Sequence, residues 1–207
     1  MFFNKTILLG GCIAAFVTLS SCDHKQRGQE IREEAQREIL QKKLSEKALK
    51  EQIIIEDNKV HGLVSKINNT EELSEFESQI KELEIDECLV NQGSFTVFAP
   101  NNEAFDNKNL RVLNKKSSDY NKVEAKSALK YHVVQNKWTT EKLESEIKKS
   151  GGSLELTTQN GASIHATLNK TNIILNDESG HTARILTSDM SASNGSLYII
   201  DSVLMAD

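Results

Sequence analysis

Ser94-Phe95-Thr96-Val97-Phe98-Ala99-Pro100-Asn101-Asn102-Glu103-Ala104-Phe105 joins a β-branched and aromatic run to a helix start through the only proline of the chain. Phe95, Val97 and Ala99 alternate with Thr96 and Phe98, which is the period of a strand. Pro100 ends that strand because proline has no amide to give to a ladder. Asn101 or Asn102 is then placed to cap a first helical turn, with Glu103 near its positive end and Ala104 and Phe105 turned inward.

Strands dominate on the C-terminal side of this joint. Leu154, Leu156 and Thr158 alternate with polar residues, as do Ile164, Ala166 and Leu168, and Gln159-Asn160-Gly161 between them reads as a hairpin turn. Ile173 to Leu175 and Ala183 to Thr187 form a second pair around Asn176 to Gly180. Leu197 to Leu204 is apolar on both faces for much of its length, so it is expected to be central. Helices dominate on the N-terminal side: Val60, Leu63, Val64 and Ile67 have helical spacing, and Leu73, Phe76, Ile80 and Leu83 share one face of a helix capped at Asn69 or Thr70. Between the two sides, a helix from about Asn121 directs Val123, Ala128 and Leu129 inward and delivers Tyr131-His132. Trp138 precedes a helix opened by Thr139 or Thr140 and closed by Gly151-Gly152. Helices first and strands later read as α+β.

The stretch around Pro100 resembles the first signature of the fasciclin-like domain family, Thr-Val-Phe-Ala-Pro followed by a polar pair and Ala-Phe. Asn194-Gly195-Ser196-Leu197-Tyr198-Ile199-Ile200-Asp201-Ser202-Val203-Leu204 resembles its second signature, and Leu129-Lys130-Tyr131-His132-Val133-Val134 its Tyr-His element. Asn101 stands where threonine is usual, and Ser196 and Tyr198 where an apolar residue and a histidine are common. The resemblance implies a β-sandwich or wedge of about seven strands with several helices packed on one side. It implies that Thr96, His132, Asn194 and Asp201 bind the signatures to one another through polar contacts, with Pro100 and Tyr131 belonging to the same structural motif. In animal members of that family the Tyr-His element is linked to receptor binding.

With 207 residues and no internal repeat of either signature, one domain with appendages is expected. A net charge of −5 and a pI near 5.6 give no general basic face, so nucleic acid and other polyanions lack an electrostatic footprint at the level of composition. Cys12, Cys22 and Cys88 make neither a CxxC nor a disulfide framework. Lys5 followed by an apolar run from Ile7 to Leu19 is too short for a spanning helix of about 20 residues and fits a secretory signal over 1–21. Leu19-Ser20-Ser21-Cys22 resembles the bacterial lipobox, so Cys22 is expected to be the acylated N-terminus that anchors the protein to a bacterial membrane. The alternative, an ordinary signal, would leave an exposed thiol. Cys88 is then the one remaining thiol, expected to be a small buried hydrophobe.

Residues 22–52 shift to Lys, Arg, Glu and Gln, with Ile31, Ala35, Ile39 or Leu40, Leu44 and Ala48 or Leu49 as a thin apolar stripe. Glu33 to Arg37, Glu38 to Lys42 and Glu46 to Lys50 are i,i+4 pairs in the favourable order. A helical stalk, a fraying tether and a short coiled coil all fit such a segment. The fasciclin-like domain is expected over 53–207.

Chemistry is sparse. No HExxH, GxSxG or phosphate-binding glycine loop occurs, and His24, His61, His165 and His181 have no ligand spacing to His132. Asn176 to Gly180 lacks the calcium-loop pattern and reads as a turn. No catalytic residue, metal site or cofactor is therefore expected. The reading is an exported, lipid-anchored binding or adhesion module of the fasciclin type that contacts a protein or a glycan. An accessory protein or enzyme of cell-envelope or polysaccharide metabolism is the alternative.

Overall fold

A computed structural model describes residues 16–91, 93–106, 112–113, 117–118 and 120–206, with side chains from residue 27 onward. The side chains of the signal segment and of Cys22, and the whole of Leu110, lie outside the described residues. The chain divides into two compact units, Met1–Gln52 and Ile53–Asp207.

The first unit contributes most of helix α1 (Phe16–His61). Its side chains from residue 27 to 52 are all exposed, including Ile31, Ile39, Leu40, Leu44 and Leu49. Strong helix formers and i,i+4 pairs support it: Arg37 Nη2 lies 3.9 Å from Glu33, and Lys47 Nζ 3.8 Å from Glu51 in the reverse order. Glu38–Lys42 and Glu46–Lys50 do not approach to ion-pair distance. No helix among the described residues is long and apolar enough to cross a membrane.

In the second unit α1 ends at His61, and Gly62 separates it from α2 (Leu63–Asn68). A Cβ at Gly62 would lie 2.2 Å from the Asn58 carbonyl oxygen, so only glycine lets the chain turn so tightly there. A 3-10 turn (Glu71–Leu73) leads into α3 (Ser74–Glu82), followed by α4 (Asp86–Asn91), β1 (Phe95–Pro100) and α5 (Asn102–Phe105). Asn101 caps α5 by accepting from the Ala104 amide. Asn102 instead reaches across to α3, where its Oδ1 accepts from the Glu75 amide at 3.0 Å while its Nδ2 donates to Glu71 O at 3.1 Å. The same two asparagines thus cap two helices.

Helix α6 (Lys122–Tyr131) starts at Asn121, whose side chain accepts from the Val123 amide, and is followed by β2 (Val133–Gln135). Helix α7 (Thr140–Lys149) starts at the Thr139 cap and ends before Gly151 and Gly152, whose φ of +77° and +105° suit a residue without Cβ. Strands β3 (Ser153–Thr157), β4 (Ser163–Asn169), β5 (Asn172–Asn176), β6 (Thr182–Ala192) and β7 (Gly195–Ile200) complete the domain.

The sheet order is β2-β1-β7-β6-β5-β4-β3. All pairs are antiparallel except β1 and β7, which run parallel from Phe95 opposite Gly195 to Pro100 opposite Ile200. Parallel pairing joins strands far apart in sequence, and here it lays the two signatures side by side. Strand β6 changes register between Ile185 and Met190, so its first residues pair with β5 and its later ones with β7. A bridge between Val134 and Thr158, with the Gln159 amide donating to Val133 O at 2.7 Å, joins β2 to the end of β3. The seven strands therefore form a mixed, nearly barrel-shaped sheet, with the strand number that the fasciclin resemblance implies.

Two cores result. Phe95, Val97, Ala99, Leu197 and Ile199 face helices α2 to α6 through Leu63, Ile67, Phe76, Ile80, Leu89, Ala125 and Leu129. Phe98, Tyr198 and Ile200 face the other way, into the space inside the sheet, with Tyr131, Leu156, Ile164, Leu175 and the α7 residues Leu143 and Ile147. Four expectations need correction. Neither Asn69 nor Thr70 caps α3 with its side chain, because a 3-10 turn intervenes and Thr70 Oγ1 donates back to Lys66 O at 2.8 Å. Cys88 is exposed because α4 turns Leu89 into the core, which leaves its neighbour outside. Val123 is 77% exposed, since Ala125, Ala128 and Leu129 form the inner face of α6. The last strand stops at Ile200 rather than Leu204, because the Asp201 carboxylate turns back to bind β6.

Candidate binding surface and the signature network

Each signature residue engages a different part of the domain. Thr96 Oγ1 donates to Asn136 O and accepts from the Trp138 amide, both at 2.9 Å, which ties β1 to the connection between β2 and α7. Pro100 sits opposite Ile200, and the chain resumes donating at once, from the Asn101 amide to Ile200 O at 3.0 Å. Asn194 is a hub: its Oδ1 accepts from the Leu63 amide at 2.8 Å, its Nδ2 donates to Leu89 O at 2.6 Å, and its carbonyl accepts from the Phe95 amide at 2.9 Å. One buried amide thereby joins the β6–β7 turn to α2, α4 and β1. Gly195 follows because a Cβ there would lie 2.0 Å from Phe95 O.

Tyr131 and His132 are both completely buried. The Tyr131 hydroxyl donates to Ser163 O at 2.6 Å. His132 Nε2 lies 3.1 Å from the Leu204 amide, which can only donate, so Nε2 is the acceptor and Nδ1 carries the proton given to Ala128 O at 2.9 Å. Burial lowers its pKa from 6.5 to about 4, against the opposing pull of the Ala128 carbonyl and the Asp177 charge. The imidazole is therefore neutral, with both nitrogens engaged. In this fold the Tyr-His pair offers no surface to a partner.

Asp201 Oδ1 accepts from the Arg184 amide at 2.8 Å and Oδ2 from Arg184 Nε at 2.7 Å. Burial works against its charge, but these bonds and the guanidinium outweigh burial and hold the carboxyl below the usual carboxylate range. Thr96, His132, Asn194 and Asp201 thus fasten the signatures to surrounding elements, each through its own contacts rather than through one shared network.

Two hubs were not read from the sequence. Asn58 in α1 is buried, donates to Val90 O at 3.1 Å and accepts from Ser193 Oγ at 2.9 Å. Asp177, fully buried, accepts from the amides of His181 and Met205 and pairs with the His181 ring at 3.0 Å. A polar residue inside a helix or turn carries no local mark of the distant groups it meets. Tyr198 fills the family's histidine position; burial raises its pKa to about 12, its hydroxyl donates to Trp138 O at 3.0 Å, and Lys142 Nζ lies 4.2 Å above the Trp138 ring.

Among the described residues no group of three or more His, Cys, Asp or Glu is placed to hold a metal ion. A family model of the fasciclin domain matches residues 71–206. The chain belongs to the fasciclin domain family. It is 35% identical over 113 residues to the transforming growth factor-beta-induced protein ig-h3 of Sus scrofa, which covers 54% of this chain and only 15% of that protein. It is 28% identical over 145 residues to protein sll1483 of Synechocystis, covering 69% of this chain and 72% of that one. Human periostin is 29% identical over 141 residues, 68% of this chain and 15% of its own length. The fold resembles a fasciclin domain pair from the insect cell adhesion molecule fasciclin I, with a TM-score of 0.55, 18% identity and 69% of this chain covered against 50% of that one. The chain spans about 15% of the length of two of these relatives, ig-h3 and periostin.

Its accessible surface includes loops and hairpins as well as outer helix faces. Of the loop at 110–122, the described residue Leu113 is buried, and its carbonyl accepts from Gln79 Nε2 at 3.0 Å. On the hairpins, Ser163 Oγ donates to Glu155 at 2.6 Å, and the Ser163 amide donates to Glu178 at 3.0 Å.

Proposed function

We propose that this chain is an exported binding or adhesion module, held to a bacterial membrane through lipid on Cys22, that contacts a protein or glycan without converting it. The observation that carries the reading is the use made of the signature polar groups: the His132 nitrogens, the Asn194 amide and the Asp201 carboxylate are all spent inside the fold. A scaffold so occupied leaves recognition to its loops and hairpins, where binding residues usually lie. The signal and lipobox resemblance supports export and anchoring, and residues 22–52 serve as the tether. Weak single contacts are offset when many anchored copies act together.

The test has two arms on the full chain in cells. Cys22→Ala is expected to move the protein from the membrane fraction to the soluble fraction and to abolish incorporation of labelled lipid; an unchanged distribution defeats anchoring. A protein and glycan screen run beside product analysis is expected to find a bound partner of unchanged mass. A cleaved or modified product that disappears with a single polar substitution would make the chain an enzyme of envelope or polysaccharide metabolism.

A further inference from the structure

Composition averages charge over the whole chain, and helix α6 departs from that average. Lys122, Lys126 and Lys130 recur every four residues along it and line one groove of about 530 Å³ together with Val123, Ser127, Gln159 and Asn160. At 1.5 Å rise per residue the three lysines span about 12 Å in a row, with a cationic group about every 6 Å. Lys122 and Lys130 form no ion pair among the described residues. Lys126 approaches only Glu84, at 3.9 Å, and that carboxylate is 69% exposed. Glu124, the acid of the helix itself, is engaged by Asn121 Nδ2 at 3.1 Å and lines a neighbouring recess.

Two features of this face do nothing for the fold. Lys122 occupies the first position of α6, where the helix dipole disfavours a cation. Val123 exposes an apolar side chain between the lysines. A partner that supplies anionic groups in a line and an apolar ring face for Val123 satisfies both.

We propose that this groove binds a linear acidic polysaccharide, one whose carboxylates or sulfates repeat along a sugar chain. The proposal rests on the binding-module reading above and names its ligand class. A single row of ammonium groups fits a strand better than a flat lipid surface. The pyranose rings of such a chain present C–H faces between their anionic groups, as Val123 lies between the lysines.

Binding of the full chain is measured to polygalacturonate, with neutral dextran, poly-glutamate, duplex DNA and phosphatidylglycerol vesicles as competitors. Polygalacturonate is expected to bind with an affinity that falls as salt rises, and dextran to leave it undisturbed. The triple variant Lys122→Gln, Lys126→Gln, Lys130→Gln is expected to keep the melting temperature and to lose about tenfold in affinity. Val123→Ser is expected to reduce the preference for polygalacturonate over poly-glutamate. Unchanged affinity in the triple variant overturns the proposal, as does equal or tighter binding of poly-glutamate, DNA or vesicles. If the wider screen finds a partner that the triple variant still holds, the lysine row fails and the binding module stands; if wild type binds nothing in either experiment, both fall.

Discussion

Strands β1 and β7 and strands β3 to β5 belong to one sheet yet live in different surroundings. All six residues of β1 and all six of β7 are buried, because one face meets the helices and the other the interior of the sheet. Along β3, β4 and β5 burial alternates, since only one face is covered. The first pair has no solvent to absorb an error on either side. The hairpin half keeps an exposed face on which side chains exchange at little cost.

Substitutions can break this contrast. The largest effect is expected for Gly195→Ala, which sets a methyl group 2.0 Å from the Phe95 carbonyl between the two signature strands. That clash exceeds the ~1–3 kcal/mol usual for overpacking, and loss of the cooperative unfolding transition is expected. At Gly161 in the β3–β4 turn no atom lies within 4 Å of an added Cβ and only a φ of +96° opposes it, so Gly161→Ala is expected to cost about 1–2 kcal/mol. Equal melting temperatures for the two variants would erase the distinction.

Next in size is Asn194→Ala, which strands the Leu63 amide and the Leu89 carbonyl in the core. A loss of about 3 kcal/mol in urea unfolding is expected, and a loss below about 0.5 kcal/mol, typical of surface positions, would show that the hub does not hold.

The His132 ring sharpens the contrast through pH. Its folded pKa is about 4, whereas the unfolded ring titrates at 6.5. Between those values the unfolded chain binds the extra proton, so stability rises with pH there; it is full above 6.5 and falls as pH drops toward 4. The loss at pH 4.5 is expected to be between about 2 and 3 kcal/mol, with an imidazole nitrogen shift whose midpoint lies near 4. A midpoint near 6.5 would place the ring in water. The smallest effect is expected for Glu155→Ala on the open face of β3, within about 0.5 kcal/mol despite the loss of its bond to Ser163.

Much of this architecture was legible in the chain. The alternation of Phe95 to Ala99, the stop at Pro100, the caps narrowed to Asn101 or Asn102 and to Thr139 or Thr140, the helix start near Asn121, the Gly151-Gly152 terminus and the hairpin at Asn160-Gly161 are all local, and each appears where its chemistry places it. Helix α4 escaped because six residues are too few to display a period. Strand β6 was read short, as Thr187, because its register shifts interrupt the alternation that marks a strand. Cys88 and Val123 were placed inward on composition, although neighbours on the same turn already filled the core.

The sequence by itself determined the kinds and order of the elements, since caps, turns and periodicity act over a few residues. It also determined the family, whose two signatures stand about a hundred residues apart. Only the tertiary structure decided that those signatures run parallel, that Asn194 meets Leu63 and Leu89, and that Tyr131 and His132 are sealed from the surface. Only the fold, likewise, sets three lysines of an acidic chain beside Gln159 in one groove. Burial, long-range pairing and the segregation of charge are properties of faces, and a face comes into being when distant segments of the chain are packed together.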